Sequence, residues 1–388
     1  MGIDKKQKHK SFQIFNKLPL PLKNYLTVFF NSLQKALPVG SSVILIGSSA
    51  RNELTWIYEN QKIRVLGDVE FLIFSDSYPK HLMAKITKEV IDSHYSKSFE
   101  GINTIELDFG VFNKLSLQMG VKGIWRFELQ KAGVLIFGKN DLLNLTTKIN
   151  IKNIDFASIN YLILVRLWNA YSAIEKTKVI SDPTIRENEL MYIYLRNILD
   201  GLTVYLPWNG ILVCGYEKRF LKFKELTKNN ILSKFEQSFS NATQWKLTGL
   251  QDKPLELLKE EFLEIFGIIN DYRPKKHRAS FAFYVRGKMM IYKLQRGYFK
   301  KNKFLSMFNS LIISHNFIEN KIINILLALH KNTGDSGKDS NEAWEYFIIN
   351  SKRSFFKIQG DYNEEIDYGS ELNLIMEFWF YGRSIRKV

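Results

Sequence analysis

The chain has 388 residues, 45% of them hydrophobic, 14% aromatic and 24% charged, a composition that excludes overall disorder and predicts two domains. Its single cysteine, Cys214, excludes an intramolecular disulfide and any zinc site built on several thiolates. No apolar run reaches the ~18 residues needed to span a bilayer, and the basic start MGIDKKQKHKSF is followed by no uninterrupted apolar core, so a cytoplasmic protein is expected.

Residues 1–21 read as an N-terminal extension. LKNYLTVFFNSLQKAL then has helical spacing, SSVILIGSS is a strand running into a small-residue turn, and DVEFLIF is a second strand after a helical or loop excursion. YPKHLMAKITKEVIDSHY returns to helical spacing, INTIELDFGVF is extended with alternating polarity, and GVLIFG is a short apolar run between glycines. That alternation predicts an α/β or α+β domain over 22–150. From Asp155 onward the texture becomes helical, as in FASINYLILVRLWNAYSAI, ENELMYIYLRNILDGLTVYL, PLELLKEEFLEIFGIIN and FLSMFNSLIISHNFIENKIINILLALH. Phe156, Ile159, Ile163, Leu167, Ala170 and Ile174 repeat at three and four residues, the mark of one buried stripe. A mainly α-helical domain is expected over 151–388, interrupted by the loop KNTGDSGKDSNE, in which no apolar residue stands between Lys331 and Glu342.

The formal net charge of +16 is unevenly spread. From Tyr272 to Lys303 there are 11 Lys or Arg, no Asp or Glu, and seven aromatic rings, a pattern suited to phosphates and bases of a polyanion. The competing reading is a solvated basic face whose rings point into the core.

The strand DVEFLIF carries the sharpest chemical signal. Side chains two apart share one face of a strand, so Asp68 and Glu70 point together while Val69 and Phe71 point away. Paired carboxylates in an apolar strand repel and are costly to desolvate, and a divalent cation is the usual remedy. The turn Gly47-Ser48-Ser49 supplies close backbone approach and hydroxyls suited to phosphate oxygens. A third acid is expected from TIELDFGVF, which offers Glu106 and Asp108 on one face. The plain alternative for all four acids is an exposed strand face that meets solvent or arginines.

Taken together, GSSARNE, LGDVEFLIF and IELDFGVF resemble the DNA polymerase β-like nucleotidyltransferase superfamily, over roughly Leu22 to Leu145. The segment FELQKAGVLIFGKNDLL is similar to the helix and strand that follow the catalytic core in many bacterial members. The resemblance implies an α+β fold: an N-terminal mixed sheet flanked by helices, followed by the helical domain. It implies that Gly47 and Ser48, with Ser49 and Arg51 in the same turn, bind phosphate. It further implies that Asp68, Glu70 and Asp108 bind metal and carry catalysis, with Glu106 as the alternative third acid. Mg²⁺ or Mn²⁺ would be the cofactor, a nucleoside triphosphate the donor, and a hydroxyl or phosphate on a small molecule, glycan precursor, protein or RNA the acceptor. An anionic acceptor, nucleic acid included, would use the basic segment.

Two features depart from the commonest pattern: Glu70 stands where Asp is usual, and the excursion between Ser49 and Asp68 is long. Both resemble a bacterial branch whose turn reads Gly-Ser-x-x-Arg-x-Glu, as Gly47, Ser48, Arg51 and Glu53 do. In that branch Arg51 faces the triphosphate or braces the turn, and Glu53 is structural. The competing function is a noncatalytic nucleotide- or nucleic-acid-binding protein that uses residues 272–303. Lys131 and Lys139 are candidate phosphate contacts. The six histidines show no metal-ligand spacing, Arg273 to His277 only slightly resembles a ribonuclease-type motif, and Cys214 reads as a packing residue.

Overall fold

The computed structural model describes residues 12–272, apart from residue 76 and the stretches 96–98, 114–116, 118–121, 140–141, 143–145, 147, 178–179, 227–230 and 250–253. The basic residues 273–303, the Arg273 to His277 motif and the loop from Lys331 lie outside the described residues. The chain combines helices and strands, and its described residues fall into two compact units. One holds 12–155 with 209–249, and the other holds Phe156–Trp208 with 254–272.

In the first unit a 3-10 turn, Phe12–Lys17, leads into helix α1 (Leu20–Ala36), which carries a proline in its first turn, where a missing N–H breaks no bond. Strand β1 (Ser42–Leu45) follows, then a single helical turn α2 (Gly47–Ala50), strands β2 (Trp56–Glu59) and β3 (Lys62–Phe74), and helix α3 (Lys80–Tyr95). Strand β4 (Ile102–Phe112), helix α4 (Ile124–Ala132) and strand β5 (Val134–Phe137) complete the sheet region. The excursion after the turn is therefore a strand. β2 and the first half of β3 form a hairpin whose two turn residues, Asn60 and Gln61, both have positive φ, 49° and 65°, as a type I′ turn requires.

The five strands make one mixed sheet with β3 at its centre. On one edge β3 pairs antiparallel first with β2 and then with β1, and β5 lies antiparallel beyond β1. On its other edge β3 runs parallel to β4. The register slips between Ile63 and Asp68 and is regular from Asp68 to Phe74.

The two faces of β3 have different neighbours, and this split decides where the site can be. Val69, Phe71 and Ile73 are buried with Leu26, Phe29, Phe30 and Leu33 of α1 and with Met83 and Ile91 of α3. Phe71 meets the rings of both Phe29 and Phe30 at 5.6 Å. Each such buried side chain contributes roughly 1.5–3 kcal/mol, so helices seal that face. On the opposite face Leu72 and Phe74 pack with Ile44 of β1 and Leu129 of α4, while Asp68 and Glu70, one turn of the pleat earlier, are only half-buried. The sheet is dry under α4 and polar beside it.

The second unit contains α5 (Phe156–Thr177), α6 (Pro183–Trp208) and α9 (Leu255–Tyr272). Ile159, Ile163, Leu167 and Ala170 are fully buried on α5, with Phe156 and Ile174 half-buried at the ends of that stripe. Arg166 of α5 and Asp200 of α6 form an ion pair of 2.6 Å.

Helices α7 (Tyr216–Glu225) and α8 (Glu236–Thr248) belong to the first unit. Residues 209–249, expected within the helical domain over 151–388, thus fall in the unit that holds the sheet. The physical reason is polar and long-range: Glu53 accepts the Tyr216 amide at 2.7 Å, and the Thr55 hydroxyl donates to the Lys246 carbonyl at 3.1 Å.

Candidate metal centre

β3 presents Asp68 and Glu70 on the face away from α1, and the parallel register sets Glu106 beside Asp68 and Asp108 beside Glu70. One carboxylate oxygen from each of Asp68, Glu70 and Asp108 lies within 4.8 Å of the other two. Among the described residues this is the one group of three or more His, Cys, Asp and Glu so arranged. The structure thus brings Asp108, rather than the alternative Glu106, to the pair. Asp108 is exposed, and one of its oxygens accepts the Phe109 amide at 2.8 Å, which steadies the carboxylate and leaves its other oxygen to face a ligand.

All three donors are hard carboxylate oxygens, the set that suits Mg²⁺ or Mn²⁺ and not a thiolate-seeking metal. A divalent ion there would also cancel the repulsion among three like charges.

The small-residue turn lies against this cluster. Gly47 has φ +67°, the left-handed region, and a Cβ at that position would collide with Glu70 Oε2. Glycine is required twice over, by backbone conformation and by the carboxylate above it. The link is continuous, because the Ile46 amide donates to the Glu70 carbonyl at 2.9 Å.

Past Gly47 the side chains divide into two roles. Ser48 is half-buried, and its carbonyl accepts the Glu53 amide at 2.8 Å. Ser49 is buried, and its hydroxyl donates back to the Ile46 carbonyl at 3.0 Å, so it holds the turn closed. Arg51 is engaged within the turn and with α4. Its guanidinium donates to Glu53 at 2.7 Å and to Glu128 of α4 at 2.8 Å, and it stands 5.3 Å from the ring centre of Tyr216. Burial pulls the Arg51 pKa down, but Glu128 and Glu53 outweigh it and the net shift is upward. Glu53 is buried between Arg51 and the Tyr216 amide, and Arg219 of α7 completes the network by pairing with Glu128.

Sequence reasoning missed Glu128, Tyr216 and Arg219, and no local signal marks them. Arg51 and Glu128 are 77 residues apart, and Glu53 and Tyr216 are 163 apart. Tyr95 was also missed; its hydroxyl accepts the Leu107 amide at 2.8 Å, on the strand that carries Asp108. Burial raises the Tyr95 pKa, and the nearby carboxylates Glu106 and Asp108 raise it further, against the lowering effect of the Leu107 amide.

The remaining candidates lie elsewhere. Lys131 is in the last turn of α4 and lines a cleft with Arg51 and Cys214, and Lys139 donates its amide to the Ser42 hydroxyl at 3.0 Å. His94 is buried among Tyr25, Phe29 and Phe99, with its ring stacked on Phe99 at 5.8 Å. Cys214 is half-buried, and its thiol pKa is raised, first by burial and then by Glu128. No helix among the described residues is long and apolar enough to cross a membrane. No protein-family model matches the chain, and no curated protein matches its sequence at a significant level.

Proposed function

We propose that the chain is a divalent-metal-dependent nucleotidyltransferase, moving a nucleoside monophosphate from a nucleoside triphosphate to a hydroxyl or phosphate acceptor. The observation that carries this reading is the convergence of Asp68, Glu70 and Asp108 beside the left-handed turn at Gly47. Those three carboxylates would hold Mg²⁺ or Mn²⁺. When bound, such an ion neutralises phosphate charge and lowers the pKa of a coordinated hydroxyl.

Each residue of the chain then has a definable task. Gly47 leaves room for the Glu70 carboxylate to stand over the turn, and Ser48 offers a hydroxyl donor for phosphate beside it. Asp108, the exposed member of the three acids, would take the proton from the acceptor hydroxyl. Ser49, Arg51 and Glu53 hold the turn in place so that Gly47 and Ser48 keep their positions relative to Glu70.

The test is incubation with each labelled nucleoside triphosphate and Mg²⁺ or Mn²⁺, following pyrophosphate and label on the protein, on added RNA and on a metabolite extract. Release of pyrophosphate that is abolished by Asp68→Asn supports the proposal. No release with any triphosphate, in protein that binds Mn²⁺ at the acids, overturns it.

A further inference from the structure

The segment from Gly47 to Glu53 has an anionic cluster at its start and a cleft of opposite character at its end. The cleft, of about 430 Å³, opens between α4, the segment preceding α7, and the residues Arg51 and Glu53. Its apolar wall is Phe127, Ala132, Leu212 and Val213. Its rim carries Lys131 and Lys218, both exposed and neither hydrogen-bonded nor ion-paired among the described residues. That combination of an apolar wall with a few polar groups is the composition of small-molecule pockets, and the volume lies within their usual range.

Charge decides what kind of molecule fits. Around the cleft Arg51, Lys131 and Lys218 outnumber Glu53 and Glu217, three cations to two carboxylates. Arg51 and Glu53 already satisfy each other at 2.7 Å, so the groups left to meet a ligand are the two lysines, with the exposed Glu217 as the one opposing carboxylate. Behind the wall Arg219 and Lys246 stand near the Tyr216 ring, at 5.5 and 5.9 Å, with Glu128 as the carboxylate paired to Arg219. The lining itself therefore carries one more cation than carboxylate. None of the residues of the acid triad takes part.

We propose that this cleft is a second binding site, for a small organic anion with an apolar body, a phosphate monoester or a carboxylate. Its anionic group is held by Lys131 and Lys218, and its apolar part lies against Phe127, Leu212 and Val213. The site is independent of the metal centre and of the nucleotidyl-transfer reading.

Cys214 lines the same cleft and is the only cysteine of the chain, so its reaction with a thiol reagent reports occupancy at this place alone. The experiment follows alkylation of Cys214 in the full-length protein, in EDTA and without nucleotide, against increasing phenyl phosphate, benzoate, inorganic phosphate or benzyl alcohol. Phenyl phosphate and benzoate are expected to slow the reaction saturably, and inorganic phosphate and benzyl alcohol are not. In Lys131→Gln/Lys218→Gln, two solvent-facing substitutions that leave the core untouched, half-protection should need about tenfold more probe. Calorimetric titration of phenyl phosphate into both proteins should give the same ratio. Absence of protection, equal protection in the double variant, or equal protection by inorganic phosphate alone would each overturn the proposal.

Discussion

Gly47 lies directly beneath the carboxylate of Glu70, so close that a single methyl group between them would displace one or the other. Gly47→Ala should therefore act twice. The left-handed φ of +67° adds roughly 1–2 kcal/mol of backbone strain, and the collision moves Glu70 away from Asp68 and Asp108. We expect a lower thermal midpoint together with weaker Mn²⁺ binding, measured by calorimetric titration. Loss of stability with unchanged Mn²⁺ affinity would separate the turn from the metal centre.

Asp68→Asn keeps the shape of the side chain and removes one charge from the cluster. Without metal, the variant should be as stable as the parent or slightly more so, because repulsion among three carboxylates is relieved. Mn²⁺ affinity should fall, and transfer should drop by orders of magnitude. Binding of a polyanion through residues 272–303, the segment that a noncatalytic protein would use, should barely change. Unchanged transfer in the variant would remove the metal from the chemistry.

The third carboxylate can be assigned by a pair of substitutions. Asp108→Asn should weaken Mn²⁺ binding about as much as Asp68→Asn, whereas Glu106→Gln, at an exposed position outside the group of three, should have a smaller effect. The reverse order would place Glu106 in the centre.

Glu128 binds two arginines at once, Arg51 of the turn and Arg219 of α7. Removing it takes from Arg51 one of its two carboxylate partners, Glu53 being the other, and from Arg219 its paired carboxylate, at side chains only 7% and 3% exposed. Breaking a buried pair in this way typically destabilises by about 3–5 kcal/mol. Glu128→Gln should therefore lower the urea midpoint strongly, while Glu128→Gln/Arg219→Met should recover part of the loss.

Thiol chemistry gives a pH test. The Cys214 pKa is raised above its ordinary 9.0 by burial, and Glu128 pushes in the same direction. Alkylation at pH 7 should be slow and should rise with a midpoint above that of a free thiol. Since the raised pKa belongs to the folded state, its stabilising contribution is complete below the unfolded pKa and is lost as pH climbs through the folded one. Cys214→Ser should flatten that alkaline decline in stability.

Elements with strong periodicity were readable from the residues alone. Leu22, Leu26, Phe29, Phe30 and Leu33 repeat at helical spacing and all turn inward, and the alternation through Asp68, Glu70 and Asp108 assigned the acids to one face. Strand β2 was not readable, since Trp56 to Glu59 is half-exposed and lacks alternation, and its turn uses Asn60 and Gln61 in place of the usual Asn-Gly. The bracing of Arg51 was invisible for another reason: its partners are set by tertiary packing, and no spacing rule connects Arg51 with Glu128 or Glu53 with Tyr216.

That long-range bracing also orders events during synthesis. Glu53 must wait for the Tyr216 amide, 163 residues later, and Thr55 for the Lys246 carbonyl, 191 residues later. A nascent chain that ends near Asp155 has already made all five strands, yet Arg51 and Glu53 lack the cover of α7 and α8. Such a fragment exposes a charged turn whose later partners are missing, so it should be open to proteases. The bracing of Glu53 and Thr55 can be completed only after Lys246 has emerged from the ribosome, with α5 and α6 made in the interval.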